Sequence, residues 1–201
     1  MTDAPLGKKA QQAADSKARL IGEARALFQA QGYAQTSTEA LLSATGLTRG
    51  ALYHHFRDKK DLFAAVCAQM HGELGAAIEV ATAGIEEPAR ALRLGSHAWL
   101  RAVAEPGRCR VLLLDAPAVL SSEEWAAQDA AHGYGALRMA VRALRGARDA
   151  GEELQADALA AALNGAMNQL ARWCAEERRP DAAAAAEAAI DALLDAALPP
   201  A

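Results

Sequence analysis

Material for β-sheets is scarce in this chain, as are the marks of several other protein classes. Aromatic residues make up 4% of the 201 residues, and no segment shows the β-branched alternation of a half-buried strand. The cysteines, Cys67, Cys109 and Cys174, are odd in number and far apart, which is poor material for a disulfide framework. Free buried thiols are expected. Two sharper readings exist: Cys109 sits between Arg108 and Arg110, which would lower its pKa, and Cys67 and His71 stand four apart on one helical face. Two ligands make no metal site, so neither metal nor cofactor is expected. No run approaches the roughly 20 apolar residues of a membrane helix. The small, polar stretch from Met1 to Asp15 lacks the apolar region of a signal peptide. A cytoplasmic protein without membrane attachment is expected. Enzyme signatures are missing too: there is no Gly-rich phosphate loop, nucleophile elbow or His-Glu-x-x-His pair. Glu123 and Glu124 most simply favour a helix N-terminus.

What is present is alanine and leucine, with 52% hydrophobic and 23% charged residues. That composition suits a folded all-α protein long enough for one large domain or two small ones. About nine helices are predicted. The first covers about 16–31, with Leu20, Ile21, Ala24, Leu27 and Phe28 on one face and Gly32 as its stop. Short helices follow over about 37–45, with Thr36 and Glu39 at capping-box spacing, and over about 48–55, capped by Thr48. A fourth runs over about 59–83. Pro88 opens a fifth, to about 104; Pro106 opens a sixth that Pro117 breaks. Ser121 and Glu124 form a second capping box ahead of a helix over about 122–147, bent near Tyr134 by Gly133 and Gly135. Gly151 marks a break before the eighth, about 156–178, and the ninth covers 181–197. Three regions are expected: a flexible tail over 1–15, a small helical domain over 16–65, and a larger one over 66–201.

Charge divides in the same place. Residues 1–63 hold nine Lys/Arg and six Asp/Glu, the remainder twelve and nineteen, and no lysine follows Lys60. A mildly basic head on an acidic body suggests one end that meets a polyanion and a body that avoids it. Lys8, Lys9, Lys17 and Arg19 are either a basic arm or a solvated tail.

The stretch from Thr36 to Phe56 reads as two short helices joined by a tight turn at Gly46-Leu47, the geometry of a helix-turn-helix. Leu41, Leu42, Leu47, Leu52 and Phe56 can lock the pair onto the first helix. Arg49, Gly50, Tyr53 and His54 then form an outward stripe by their spacing of three and four. Arg49 can contact a guanine edge bidentately, Gly50 permits close backbone approach, and Tyr53 and His54 reach phosphate or base. Lys59, at the start of the fourth helix, stands where backbone donors can share a phosphate.

Over about residues 16–65 the sequence resembles the TetR family of bacterial regulators. The resemblance lies in Gly32-Tyr33, Thr36-Ser37-Thr38, Gly46, Arg49-Gly50, Leu52-Tyr53-His54-His55-Phe56, and Lys59, Leu62 and Phe63. It implies that Arg49, Gly50, Ala51, Tyr53 and His54 face the major groove and that Thr38, Tyr53, His55 and Lys59 contact phosphates. It also implies a small-molecule pocket among the fifth to eighth helices and a homodimer through the eighth and ninth. Leu163, Met167, Leu170, Ala171 and Cys174 on the eighth, and Ala185, Ala189, Ile190, Leu193 and Leu194 on the ninth, have apolar helical spacing that suits close packing. Candidate pocket residues are Trp99, Leu112, Trp125, His132, Tyr134, Asn164 and Asn168, each large or polar on a largely apolar helix. The expected protein is a dimeric repressor released from a palindromic DNA operator by a small-molecule effector. The alternative is a helical small-molecule-binding or adaptor protein that does not bind DNA.

Overall fold

The structure, a computed structural model, describes residues 7–177 and 179–198, and within them the backbone is helical with no strand. Two compact units divide the chain, the first ending at Cys67 and the second beginning at Ala68.

In the first unit α1 spans Lys8–Gln35, α2 Thr38–Thr45 and α3 Arg49–His55, and α4 (Lys59–Thr82) begins there. Helix α1 starts eight residues earlier than the sequence suggests. Its regular part ends where expected, at Gly32, whose φ of 83° is the left-handed conformation that glycine adopts without a Cβ clash. The Thr36 hydroxyl donates to the Gly32 carbonyl at 2.8 Å and accepts from Gln31 at 3.2 Å, so Thr36 is buried as a turn pin. The cap of α2 is instead Ser37, which accepts from the Ala40 N–H at 3.0 Å. Gly46, at φ 63°, ends α2, and Arg19 reaches from α1 to the Thr45 carbonyl at 2.7 Å. Leu20, Ala24 and Phe28 on α1, Leu41 on α2, Leu52 on α3 and Phe63 on α4 are almost wholly buried. Phe63 meets Phe28 edge-on at 5.0 Å and Tyr33 at 4.8 Å.

The second unit contains the rest of α4, α5 (Pro88–Val103), α6 (Pro106–Cys109), α7 (Ala116–Val119), α8 (Ser122–His132), α9 (Tyr134–Arg145), α10 (Ala150–Glu176) and α11 (Ala182–Ala197). Pro117 does not break its helix. A π-helical segment over Arg110–Asp115 joins α6 to α7, and one wider turn gives the proline ring, which lacks an N–H, room beside the preceding carbonyls. The capping box of α8 forms as read: the Glu124 N–H donates to Ser121 at 3.2 Å and the Ser121 N–H to Glu124 at 2.7 Å. The bend is a full break at Gly133. The break assigned to Gly151 lies earlier, at Gly146 (φ 64°), because Asp149 accepts from the Gly151 and Glu152 N–H groups and starts α10 at Ala150.

Helix α10 is the centre of this unit and packs against α5, α9 and α11. Arg142 clasps α9 to α10 through two 2.6 Å bonds to Asp157. Arg93 and His97 on α5 bind Asp191 on α11, both at 2.8 Å. Leu163, Met167 and Ala171, read as dimer-forming, are buried inside the unit, as are Ile190 and Leu194. An apolar stripe identifies a packed face but not the surface that covers it. Burial pushes the Cys109 thiol above its usual value, outweighing the nearby Arg172, so the activated thiol suggested by its arginine neighbours does not form. Cys67 and His71 are buried, and the described residues contain no group of three His, Cys, Asp or Glu that could hold a metal. No helix among them is long and apolar enough to cross a membrane.

Candidate nucleic-acid interface and ligand cavity

Helix α3 has only seven residues, too few to persist alone. It is held by its Thr48 cap, which accepts from Ala51 at 3.2 Å, and by buried Leu52 and Phe56. Anchoring that face turns the other outward: Arg49, Gly50, Tyr53 and His54 are exposed together, with Tyr53 at 44%. Ala51, His55, Lys59 and, on α2, Thr38 are half-buried around them. A Cβ built on Gly50 would meet only the Thr48 hydroxyl, at 4.0 Å. The packing of this unit therefore does not require glycine there, although glycine weakens a helix.

Two polar residues depart from the expected arrangement. Lys59 Nζ donates to the carbonyls of Tyr33 and Thr36, both at 3.0 Å, and lies 4.0 Å from the centre of the Tyr33 ring. Its ammonium thus staples the turn between α1 and α2. Glu39, read from spacing as a capping partner, instead accepts from Arg49 Nη2 at 2.6 Å across the two short helices. Spacing within one helix could not reveal that pair, because it depends on how α2 and α3 cross.

Burial, followed by the neighbouring His54 and Lys17, lowers the pKa of His55, so His55 is neutral at pH 7 and offers a hydrogen bond and not a charge. Lys17 lies 5.6 Å from the centre of the Phe56 ring. With Arg19 bonded to Thr45, two residues of the suggested basic arm have structural partners. The side chains of Lys8 and Lys9 lie outside the described residues.

The second unit holds a cavity of about 290 Å³. Its walls include Ile78 and Thr82 of α4, Leu92, Gly95, Ser96 and Trp99 of α5, Ala136, Leu137 and Ala140 of α9, and Asn164 and Met167 of α10. No lining residue carries a formal charge. The Ser96 and Thr82 hydroxyls donate to carbonyls of their own helices, at 2.8 and 2.9 Å. The Asn164 amide makes no side-chain hydrogen bond among the described residues. Gly95 leaves little room at the wall: a Cβ there would crowd the Ile78 and Thr82 methyls, at 3.3 and 3.4 Å.

The seven pocket candidates do not converge. Trp99 and Asn164 line this cavity, whereas Trp125 and Asn168 line a separate space of about 250 Å³ with Leu113, Pro117, Gly165, Gln169 and Arg172. Leu112 is buried in the core, and Tyr134, half-buried, lines neither space. The side chain of His132 lies outside the described residues. The small lining residues Gly95, Ala136 and Ala140 went unread because a concavity is made by what is absent between helices, and sequence records no such gap.

Residues 20–66 match the family model described as bacterial regulatory proteins, tetR family, and residues 89–197 match a tetracyclin repressor-like C-terminal domain. The HTH-type transcriptional regulator AcrR of Shigella flexneri is 37% identical over 68 residues, 34% of this chain and 32% of that protein. The HTH-type transcriptional repressor AcnR of Corynebacterium glutamicum is 35% identical over 83 residues, 38% and 44% of the two chains. The match therefore spans less than half the length of these curated relatives. A TetR-family transcriptional regulator from Pectobacterium atrosepticum superposes with a TM-score of 0.70 at 31% identity, covering 94% of this chain and 96% of that one. The fatty acid degradation regulator FadR of Bacillus halodurans shares the fold, with a TM-score of 0.71 at 16% identity over 95% and 97% of the chains.

Proposed function

We propose, because the chain belongs to the TetR family of bacterial regulatory proteins, that it is a transcriptional repressor that reads a palindromic DNA operator and leaves it on binding a small molecule. The observation that carries this reading is the outward face of α3, where exposed Arg49, Tyr53 and His54 surround a glycine that the head's own packing does not need. A missing side chain there lets a duplex backbone or base edge approach the helix closely. Arg49 and Ala51 face bases; Thr38, Tyr53 and neutral His55 face phosphates. Arg49→Ala should cost roughly 1–3 kcal/mol and relax the preference at one base pair in each half-site. Sequencing the duplexes that each protein selects from a randomised library checks this, and an unchanged preference would take α3 out of the groove.

Two recognition helices are needed to read two half-sites one DNA turn apart. We place the dimer on the outward sides of α10 and α11. Leu193, 40% exposed, and Trp173, 38% exposed, leave apolar surface there beside many alanines. Leu193→Glu should shift the protein from dimer toward monomer in sedimentation, since a carboxylate without a partner is costly to bury. An unaltered dimer would move the interface elsewhere.

The effector is proposed to occupy the 290 Å³ cavity. A wall without charge, offering the Asn164 amide and the Trp99 indole N–H, suits a neutral, largely apolar molecule carrying one or two hydrogen-bonding groups. Helix α4 begins in the unit that carries α3, and its far end lines the cavity. Displacement of that end is the proposed route by which an occupant biases the recognition helices. Mass spectrometry of the purified protein should identify the effector. Asn164→Leu should then weaken its binding by about fivefold to tenfold, the worth of one hydrogen bond, without changing operator affinity in its absence. Equal effector affinities in the variant and the parent would remove Asn164 from the site.

A further inference from the structure

The Arg49–Glu39 ion pair joins the first turns of α2 and α3 on the surface proposed to meet DNA, with a 2.6 Å contact and side-chain exposures of 59% and 72%. Exposed ion pairs contribute little to stability, so anchoring α3 is a poor explanation for this one. Leu52 and the Thr48 cap already do that. The pair also places a carboxylate where a DNA-binding surface would be expected to present none, since Glu39 must lie near phosphates if Arg49 is to touch a base.

We infer that Glu39 is a positioning residue that sets base specificity by holding the Arg49 guanidinium. The inference rests on the proposed DNA-reading role of α3. The carboxylate occupies Nη2 alone, and no other hydrogen bond of that guanidinium forms among the described residues. The remaining N–H groups stay available to a guanine edge, with the guanidinium held by one of its corners. On a duplex without guanine at that position, Arg49 stays with Glu39 and the carboxylate repels the backbone. Glu39 thus favours the right site by pre-orienting Arg49 and penalises wrong sites by its charge, an attractive and a repulsive element in one residue.

Opposite signs for two readouts follow from this. In the full-length protein, Glu39→Gln should lower discrimination at the base pair read by Arg49 by about tenfold in randomised-library selection. The same variant should bind an unselected duplex about threefold more tightly in fluorescence anisotropy, with a salt slope steeper by about one, because a freed arginine can take a phosphate. Glu39→Asp should recover part of the discrimination. A merely structural role would instead lower the melting temperature and leave base preference alone. If Glu39→Gln keeps the parent's preference and slope while Arg49→Ala loses the preference, Glu39 is a surface ion pair only, and the DNA-reading role of α3 stands. If Arg49→Ala also keeps the preference, the reading of α3 fails and takes this inference with it.

Discussion

Phe63→Ala is expected to cost roughly 3–5 kcal/mol, the range for emptying a fully buried aromatic site. The side chain is wholly buried and packs edge-on against Phe28 at 5.0 Å and against Tyr33 at 4.8 Å. One substitution therefore removes both ring contacts and opens a void at the start of α4. The first unit is small, so few other apolar contacts compensate, and a loss of this size approaches the whole stability of such a domain. DNA binding should disappear, because seven-residue α3 depends on this packing for its shape. The dimer should persist, since its proposed surfaces lie on α10 and α11. Phe63→Leu, which keeps most of the volume, should cost less and retain DNA binding. Urea unfolding followed by near-ultraviolet circular dichroism, with sedimentation of the same samples, checks the pair. Equal stabilities for Phe63→Ala and the parent would show that this aromatic cluster does not hold the first unit together.

That cluster was partly legible in the sequence, and the reason is instructive. Leu20, Ala24 and Phe28 recur at helical spacing, and Gly32 and Gly46 end their helices where a left-handed residue is needed. Such signals are local and survive any packing. Local signals also gave the Ser121–Glu124 box. They misled where two polar residues competed for one task. Thr36 has the capping spacing, but Ser37 caps α2 while Thr36 is buried in the turn behind it. At Gly151 the cap from Asp149 overrode the glycine, and at Pro117 a π-helical turn absorbed the proline.

The candidate DNA face was more readable than the cavity for a physical reason. One short segment supplies most of that face, and its outward side is fixed once Leu52 and Phe56 turn inward. The cavity draws its walls from four helices separated by up to about 90 residues in sequence, and its shape depends on helix crossings. Large residues such as Trp125 looked like ligand contacts by type, yet a neighbouring space took Trp125 and Asn168. Dimer residues suffered likewise: Met167 and Ile190 serve the unit's own packing.

Lys59→Met is expected to destabilise the protein by roughly 2–3 kcal/mol, although Lys59 looked like a phosphate contact in the sequence. Its ammonium donates to two carbonyls at 3.0 Å and lies over the Tyr33 ring. Hydrogen bonds to charged groups each contribute about 1.5–3 kcal/mol and an exposed cation–π contact about 0.5–1, discounted here because Lys59 is only half-buried. Methionine keeps the apolar stem but removes the ammonium bond from both carbonyls, leaving the Tyr33 carbonyl only the Thr36 N–H, at 3.3 Å. That turn sets where α2 begins, and α2 in turn carries Thr38 and Glu39. Two measurements separate this role from a phosphate contact. If Lys59 is a staple, urea unfolding shifts while the salt slope of binding to an unselected duplex, measured where the variant is fully folded, stays within error. If it is a phosphate contact, unfolding is unaltered and the slope falls by about 0.9, the change expected for one lost phosphate interaction. The geometry favours the first outcome, because two of the three ammonium hydrogens are already committed inside the protein before any DNA arrives.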